Sequence, residues 1–209
     1  MAEIKLTEET YRQLPEIVEK DLLNTLKSRF GRDFIIKGYI YLNGTPDVQV
    51  ILVTDDSDRI VFSAFITPEL KIYDDFQRAC CCNQLKDYIG MLISDTYISV
   101  SFIEDFKPDP DVYVSYDEYI VSHGIKKVLV RLLSAKDRYT RELLETVYNV
   151  MFQKFDVELC FFCYEYESDE AFISAVDKLK DSYKLTKTLI EQTNPVSFNS
   201  VFFPEKGDS

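Results

Sequence analysis

Residues 34–66 contain three apolar segments that are separated only by short polar turns. The segments are residues 34–42, 48–53 and 60–66, and the turns between them contain Asn43-Gly44 and the acidic run 55–58. Asn-Gly is typical of a tight hairpin turn, and connections this short cannot join parallel strands, which need a much longer crossover. The chain is therefore predicted to contain a three-stranded antiparallel meander.

Helices are predicted on both sides of this meander. Apolar residues recur with a helical period between Leu14 and Phe30, where Thr7 is the expected N-cap and Gly31 the expected C-cap. The same period returns over residues 73–93, and the alternation over residues 97–103 predicts a fourth strand. The first half is thus a helix, a meander, a second helix and a further strand.

The second half alternates helices and strands more regularly. Helices are predicted over 115–124, 137–155 and 168–183, with Ser115 and Ser168 as N-caps, and strands over 128–133, 157–166, 185–190 and 197–203. A strand, a helix and a strand in succession favour a β-α-β unit. The predicted fold class is α+β, with β-α-β-α alternation in this half.

The boundary between the halves is predicted in the connector that contains Pro108 and Pro110. The two halves then cover residues 1–104 and 112–203, and residues 204–209 form a frayed tail. One compact domain is the alternative. Residues 22–35 resemble residues 143–157, because each is a helix that leads into a strand, and both a duplication and chance explain this match.

The net charge of the chain indicates which class of partner it can bind. The chain has 36 acidic and 24 basic residues and a net charge of −12. This charge repels phosphate, so nucleic-acid binding is not expected, whereas a basic protein would be attracted. The alternative interpretation is that the charge serves solubility alone.

Localisation is predicted from the cysteines and from the apolar runs. Five cysteines, three of them consecutive at Cys80–Cys82, make a poor disulfide framework and fit a reducing compartment. No signal peptide is visible at the N-terminus, and no apolar run approaches the ~18 residues of a membrane span. The protein is expected to be cytoplasmic, or extracytoplasmic if a leader has been removed.

Residues suited to catalysis are scarce. His123, the one histidine, stands beside Gly124 at a predicted helix end, which favours a structural role. Cys160 and Cys163 have Cys-x-x-Cys spacing, but they lie within an apolar strand that should point their sulfurs to opposite faces. No catalytic, cofactor-binding or metal-binding residue is predicted, and the protein is not expected to be an enzyme. The alternative is a thiol or zinc-dependent protein that uses Cys160, Cys163 and Cys80–Cys82.

An acidic stretch that contains tyrosines is the best candidate for a binding surface. Carboxylates cluster between Glu104 and Glu118, with tyrosines interleaved. Tyrosine contributes contact area, and carboxylates attract a basic partner. The predicted partner-binding residues are Asp105, Asp109, Asp111, Tyr113, Tyr116, Asp117 and Tyr119. The alternative is a solvated loop whose tyrosines are tucked into the core.

Two segments resemble a known kind of domain. Residues 26–34, Leu-Lys-Ser-Arg-Phe-Gly-Arg-Asp-Phe, and residues 72–76, Ile-Tyr-Asp-Asp-Phe, are similar to patterns in small uncharacterised domains of Gram-positive bacteria. Some of those domains follow a lipoprotein leader. The resemblance covers about residues 20–90 and implies no activity, because no catalytic residue comes with it.

These observations lead to one expectation about function. The protein is expected to be a non-enzymatic bacterial interaction protein that binds or neutralises a basic protein, such as a toxin domain. Besides the thiol or zinc-dependent protein, a structural subunit of a larger assembly is an alternative.

Overall fold

A computed structural model describes residues 16–41, 47–103, 115–180 and 186–203. Six helices and eight strands lie in these ranges, with four consecutive strands in the first part and helices between most strands in the second, which confirms the α+β class. The helices are α1 (Glu16–Phe30), α2 (Phe76–Gly90), α3 (Tyr116–His123), α4 (Arg141–Phe155), α5 (Asp169–Leu179) and α6 (Lys187–Glu191). The strands are β1 (Phe34–Tyr41), β2 (Val48–Thr54), β3 (Val61–Ile66), β4 (Ile72–Asp74), β5 (Tyr97–Phe102), β6 (Lys127–Ala135), β7 (Glu158–Tyr166) and β8 (Ser197–Phe203).

The chain divides into two compact units, each with its own sheet. Along the described chain, the first unit runs to Cys80 and the second begins at Cys81, so the division falls within α2. The predicted boundary is later, in the proline-containing connector. The two boundaries differ because β5 precedes the connector in the sequence but pairs with β6 of the second sheet.

The first unit contains an antiparallel sheet in the order β1-β2-β3-β4. The predicted meander is confirmed, and β4 extends it by a strand too short to be recognised by alternation. Helix α1 packs against the sheet through Val18, Leu22 and Leu26, which are spaced one turn apart. Four phenylalanine rings pack against one another in this core, with centroids 4.6–5.2 Å apart in four of the pairs: Phe30, Phe34, Phe62 and Phe76.

The second unit contains a mixed sheet in the order β5-β6-β7-β8. Strands β6 and β7 are parallel and in register from Lys127 and Glu158 to Ala135 and Tyr166, and the other pairs are antiparallel. Helix α4 is the crossover between the parallel strands, which confirms the predicted β-α-β unit. It buries Leu144, Val147, Met151 and Phe155, the stripe expected of a helix that packs on one face of a sheet.

The helix ends show which local signals were correctly identified. Ser115 and Ser168 cap α3 and α5 as predicted, and their hydroxyl oxygens accept hydrogen bonds from the backbone N–H of Glu118 and Ala171 at 3.2 and 3.3 Å. The predicted strand over 185–190 is wrong, because residues 187–191 form α6. Thr186 caps this helix, and a single turn suffices to bury Ile190. Periodicity does not distinguish a strand from a helix in so short an apolar run.

Two glycines give a matched test of backbone strain. Gly31 ends α1 with φ at 68°, and its N–H donates to the carbonyl of Lys27 at 2.8 Å. Because a Cβ is unfavourable at this φ, we expect Gly31→Ala to lower the free energy of unfolding by about 1 kcal/mol. Gly38 lies at an irregularity in β1 where an added Cβ meets no atom within 4 Å and φ is not in the left-handed region.

We therefore expect Gly38→Ala to leave the stability unchanged or to raise it by a few tenths of a kcal/mol, roughly. Urea denaturation of the two variants measures the difference. Equal losses for both variants would contradict this interpretation of the C-cap of α1.

Candidate functional site

The predicted partner-binding stretch is described only at its C-terminal end. Asp105, Asp109, Asp111 and Tyr113 lie outside the described residues. Tyr116 is the first residue of α3, and Asp117 follows it on the surface. The geometry of this candidate site is therefore that of α3.

Helix α3 is short, and both of its ends are capped. Ser115 holds the first turn through its hydrogen bond to Glu118, and Asp117 and Glu118 place negative charge near the N-terminal end of the helix dipole. Gly124 ends the helix in the left-handed conformation, and its N–H points to the carbonyls of Ile120 and Val121. These caps stabilise the conformation in which α3 presents its outer face.

Tyr119 faces the interior. Its side chain is 4% exposed, and its ring stacks on His123 at 4.0 Å and lies 6.2 Å from Phe102. The prediction that Tyr119 contributes surface to a partner is corrected by this burial. An alternation of acidic and aromatic residues suggested exposure, but the helical period turns residue 119 inward beside Ile120.

His123 lies at the helix end, where the sequence places it. Its Nδ1 is 3.1 Å from the carbonyl oxygen of Tyr119, and its ring covers the tyrosine ring. The imidazole thus completes the last turn of α3 and packs on an aromatic face. These contacts are those of the structural role that the sequence predicts.

The outer face of α3 combines acid with an apolar side chain. Asp117 and Glu118 are exposed, and Val121, one turn after Asp117, is 79% exposed. Because the side chain of Val121 is so exposed, it contributes almost nothing to the core. The neighbouring carboxylates provide negative charge. Together they form an exposed surface that combines negative charge with apolar area.

The cysteines of β7 are in the core. Cys160 and Cys163 are buried free thiols, and burial raises the pKa of both, that of Cys163 to about 12. Three residues of extended strand separate their Cα atoms by about 10 Å, which is beyond the span of a disulfide. In α2, Cys81 is buried and Cys80 and Cys82 are half-buried, and burial raises the pKa of Cys80 to about 11.

Metal ligands do not converge within the part of the chain that the structure describes. No group of three or more histidine, cysteine, aspartate or glutamate side chains there has an arrangement that could hold a metal ion.

Two adjacent carboxylates in the first unit lie in different environments. Asp74 is buried and ion-paired with Arg29 at 2.9 Å, and it accepts a hydrogen bond from the N–H of Phe76 at 3.1 Å. Burial raises the pKa of Asp74, and Arg29 opposes this rise. Asp75 accepts a hydrogen bond from the N–H of Ser63 at 2.6 Å, and burial together with the charge of Asp74 raises its pKa to about 6.

Two contacts of the first unit bring residues 26–34 and residues 72–76 together. Arg29 and Phe30 come from the first segment, and Asp74 and Phe76 from the second. The ion pair and the ring contact join the end of α1 to the start of α2.

Sequence reasoning missed a further exposed surface, the free edge of the second sheet. Among the described strands, β8 pairs only with β7. On one face of the strand, Phe198 and Phe202 are 46% and 52% exposed, and both rings contact Phe162, with centroids 5.8 and 6.2 Å away. Alternation within residues 197–203 could have indicated this surface, but it does not tell an edge strand from a central one.

A groove of about 850 Å³ runs beside this edge. It is lined by the start of α4 and by residues of β7 and β8, including Val201 and Phe203. Two basic residues, Lys127 and Arg141, and two acidic residues, Glu158 and Glu165, also line it. The groove is therefore neutral overall, in contrast to the whole chain.

Comparisons with known proteins do not identify the function of these surfaces. No family model, no curated protein and no solved structure matches the chain. Separately, none of the helices in the described ranges is long and apolar enough to cross a membrane.

Replacing aspartate by asparagine is expected to change the free energy of unfolding in opposite directions at Asp74 and Asp75. Asp74→Asn removes the buried charge that pairs with Arg29, and we expect a loss of about 1–3 kcal/mol in the free energy of unfolding. Asp75→Asn keeps an acceptor for Ser63 and removes a charge that burial disfavours. We expect this change to raise the free energy of unfolding at pH 7 by about 1–2 kcal/mol.

The pH dependence distinguishes the two variants further. The pKa of Asp75 in the folded protein is above its usual value of 3.8, so its contribution to stability is lost as the pH rises from about 4 to about 6. Asp75→Asn should remove this decline, whereas Asp74→Asn should reduce it only in part, because burial is the larger cause of the raised pKa of Asp75 and the charge of Asp74 a smaller one. Urea denaturation at pH 4, 5, 6 and 7 measures it, and a gain in stability for Asp74→Asn would contradict the role of the ion pair.

The thiols of β7 are expected to contribute by packing. Cys160→Ala and Cys163→Ala should each lower the free energy of unfolding by about 1–2 kcal/mol, with the larger loss at the more buried Cys163. Because raised pKa values keep these thiols protonated, they should react slowly in the native protein and fast in guanidinium. Thiol titration in both states checks this, and a Cys160–Cys163 disulfide in freshly purified protein would overturn it.

Proposed function

We propose that the protein is a non-enzymatic interaction protein that binds a basic protein partner through an acidic surface. Within the described chain this surface is the outer face of α3, with Asp117, Glu118 and Val121. From the sequence alone, the acidic residues of the connector are proposed to contribute charge to the same binding. The observation that carries the proposal is the orientation of α3, which buries Tyr119 and exposes two carboxylates beside an exposed valine.

Electrostatics supports a basic partner. With a net charge of −12, the chain attracts a positively charged protein over a distance of about 8–10 Å at moderate salt. Charges at the rim of an interface mainly accelerate encounter, whereas apolar contacts such as that of Val121 mainly slow release. A partner bound in this way, such as a basic toxin domain, would have its positive surface covered and neutralised.

The state of the cysteines supports a reducing compartment. All five are free thiols, and several of them are buried. Free thiols persist in the cytoplasm, whereas secreted proteins tend to pair theirs. We therefore propose a cytoplasmic location for the protein and its partner.

A charge-matched pair of variants tests the proposed surface. Changing Asp105, Asp109 and Asp111 to Asn removes three negative charges from the connector, and Asp117→Asn with Glu118→Gln extends the change to α3. We expect association with the partner to slow by about 3–10-fold at low salt and to become less dependent on salt. Thermal stability should stay the same or rise slightly for the triple variant, because mutual repulsion decreases.

The control removes the same charge elsewhere, by Asp21→Asn, Glu145→Gln and Glu170→Gln at exposed helix positions. The partner is first isolated from the native host by affinity purification at low salt, and association kinetics are then recorded at two salt concentrations. Equal association rates for the connector variant and the control variant would show that the partner site is elsewhere. A partner that is acidic, or that binds independently of salt, would refute the proposal.

A further inference from the structure

We propose that β8 pairs with β8 of a second copy of this chain, in an antiparallel arrangement centred on Ser200. The two four-stranded sheets would then join into one continuous sheet, four strands from each copy, which is within the usual size range. This proposal does not depend on the acidic surface, because no residue of β8 belongs to it.

The first argument is that β8 lacks the features that keep an edge strand from pairing. Natural edge strands are commonly very short, or they carry lysine, proline or a bulge. Strand β8 has seven residues, Ser-Phe-Asn-Ser-Val-Phe-Phe, without a charge or a proline, and its seven pairs with β7 run in unbroken register. Its outer side therefore presents a straight row of backbone donors and acceptors.

The second argument is the symmetry of the sequence about Ser200. In an antiparallel pair centred on this residue, position 198 of one copy lies opposite position 202 of the other. Each exposed phenylalanine therefore meets an exposed phenylalanine, and this occurs twice. Aromatic pairs are among the cross-strand contacts that stabilise sheets most. Phe162 already contacts both rings in one copy, so the two copies would form a single aromatic cluster.

The third argument is that charge does not oppose this pairing locally. Copies of a chain with a net charge of −12 repel each other over most of their surface. Beside β8, however, Lys127 and Arg141 balance Glu158 and Glu165 along the groove, and Lys187, near the ring of Phe198, pairs with Glu191. Because β8 is uncharged and the charges beside it balance, two copies can approach each other at this strand.

The opposite face of the strand adds to the contact. Phe203 stacks on Tyr148 of α4 at 5.1 Å and lies 6.1 Å from Phe161. Phe152, one turn after Tyr148, is partly exposed beside it. Aromatic side chains therefore flank the edge on both faces, and their burial in a dimer would supply hydrophobic stabilisation.

Cysteine cross-linking tests the register. In the proposed dimer the Cα atoms of the two Ser200 residues lie about 4.5–5.5 Å apart, within the range of a disulfide. The two Ser197 residues are separated by six residues of strand, about 20 Å. Under mild oxidation, Ser200→Cys should give a covalent dimer in high yield, and Ser197→Cys and the native chain should not. Equal cross-linking of Ser200→Cys and Ser197→Cys would overturn the register.

Sedimentation tests the dimer itself. The native full-length chain should dimerise reversibly, and Phe198→Lys with Phe202→Lys should raise the dissociation constant at least about tenfold. Met91→Lys with Ile173→Lys, at two exposed positions away from β8, adds the same charge and should change it little. Circular dichroism establishes that each variant is folded. A native chain that remains monomeric up to about 1 mM, or a dimer unaffected by the phenylalanine variants, would overturn the proposal.

Discussion

The parallel pairing of β6 and β7 is the interaction on which the second unit depends. Parallel neighbours require a crossover, and α4 supplies it by burying an apolar stripe against the sheet. With β6 and β7 in the centre, β5 and β8 occupy the two edges. The edge position of β8 is a consequence of this topology. The same pairing holds Cys160 and Cys163 in the central strand β7, which is why their thiols are buried.

Charge is distributed unevenly over the chain, and this separates the two proposed surfaces. Carboxylates are concentrated in the connector and at the start of α3, where they also complement the helix dipole. The edge of β8 has no charge, and opposite charges balance along the groove beside it. A surface of the first kind accelerates the approach of a basic protein, and one of the second kind can pair with its own copy. One acidic chain can thus present two surfaces of different specificity.

Local sequence signals predicted most elements of the fold. Short polar turns predicted the meander, serines predicted the caps of α3 and α5, and Gly31 predicted the end of α1. These signals act within a few residues, so they can be recognised in the sequence without knowledge of the fold. The strand expected over 185–190 was wrong, because packing of Ile190 and capping by Thr186 decide in favour of a helical turn. Tyr119 was expected on the surface, yet its ring is enclosed between His123 and Phe102.

The sequence by itself determined the α+β class, the β-α-β unit, the acidic character of the connector and the helix-end position of His123. Only the tertiary structure decided that β5 joins the second sheet and that Arg29 meets Asp74. It also decided that β8 is an edge strand among the described strands, with Phe198 and Phe202 exposed. The physical reason is range. Caps, turns and periodicity depend on neighbours within one or two turns, whereas strand order and ion pairing depend on which distant segments bury their apolar faces together.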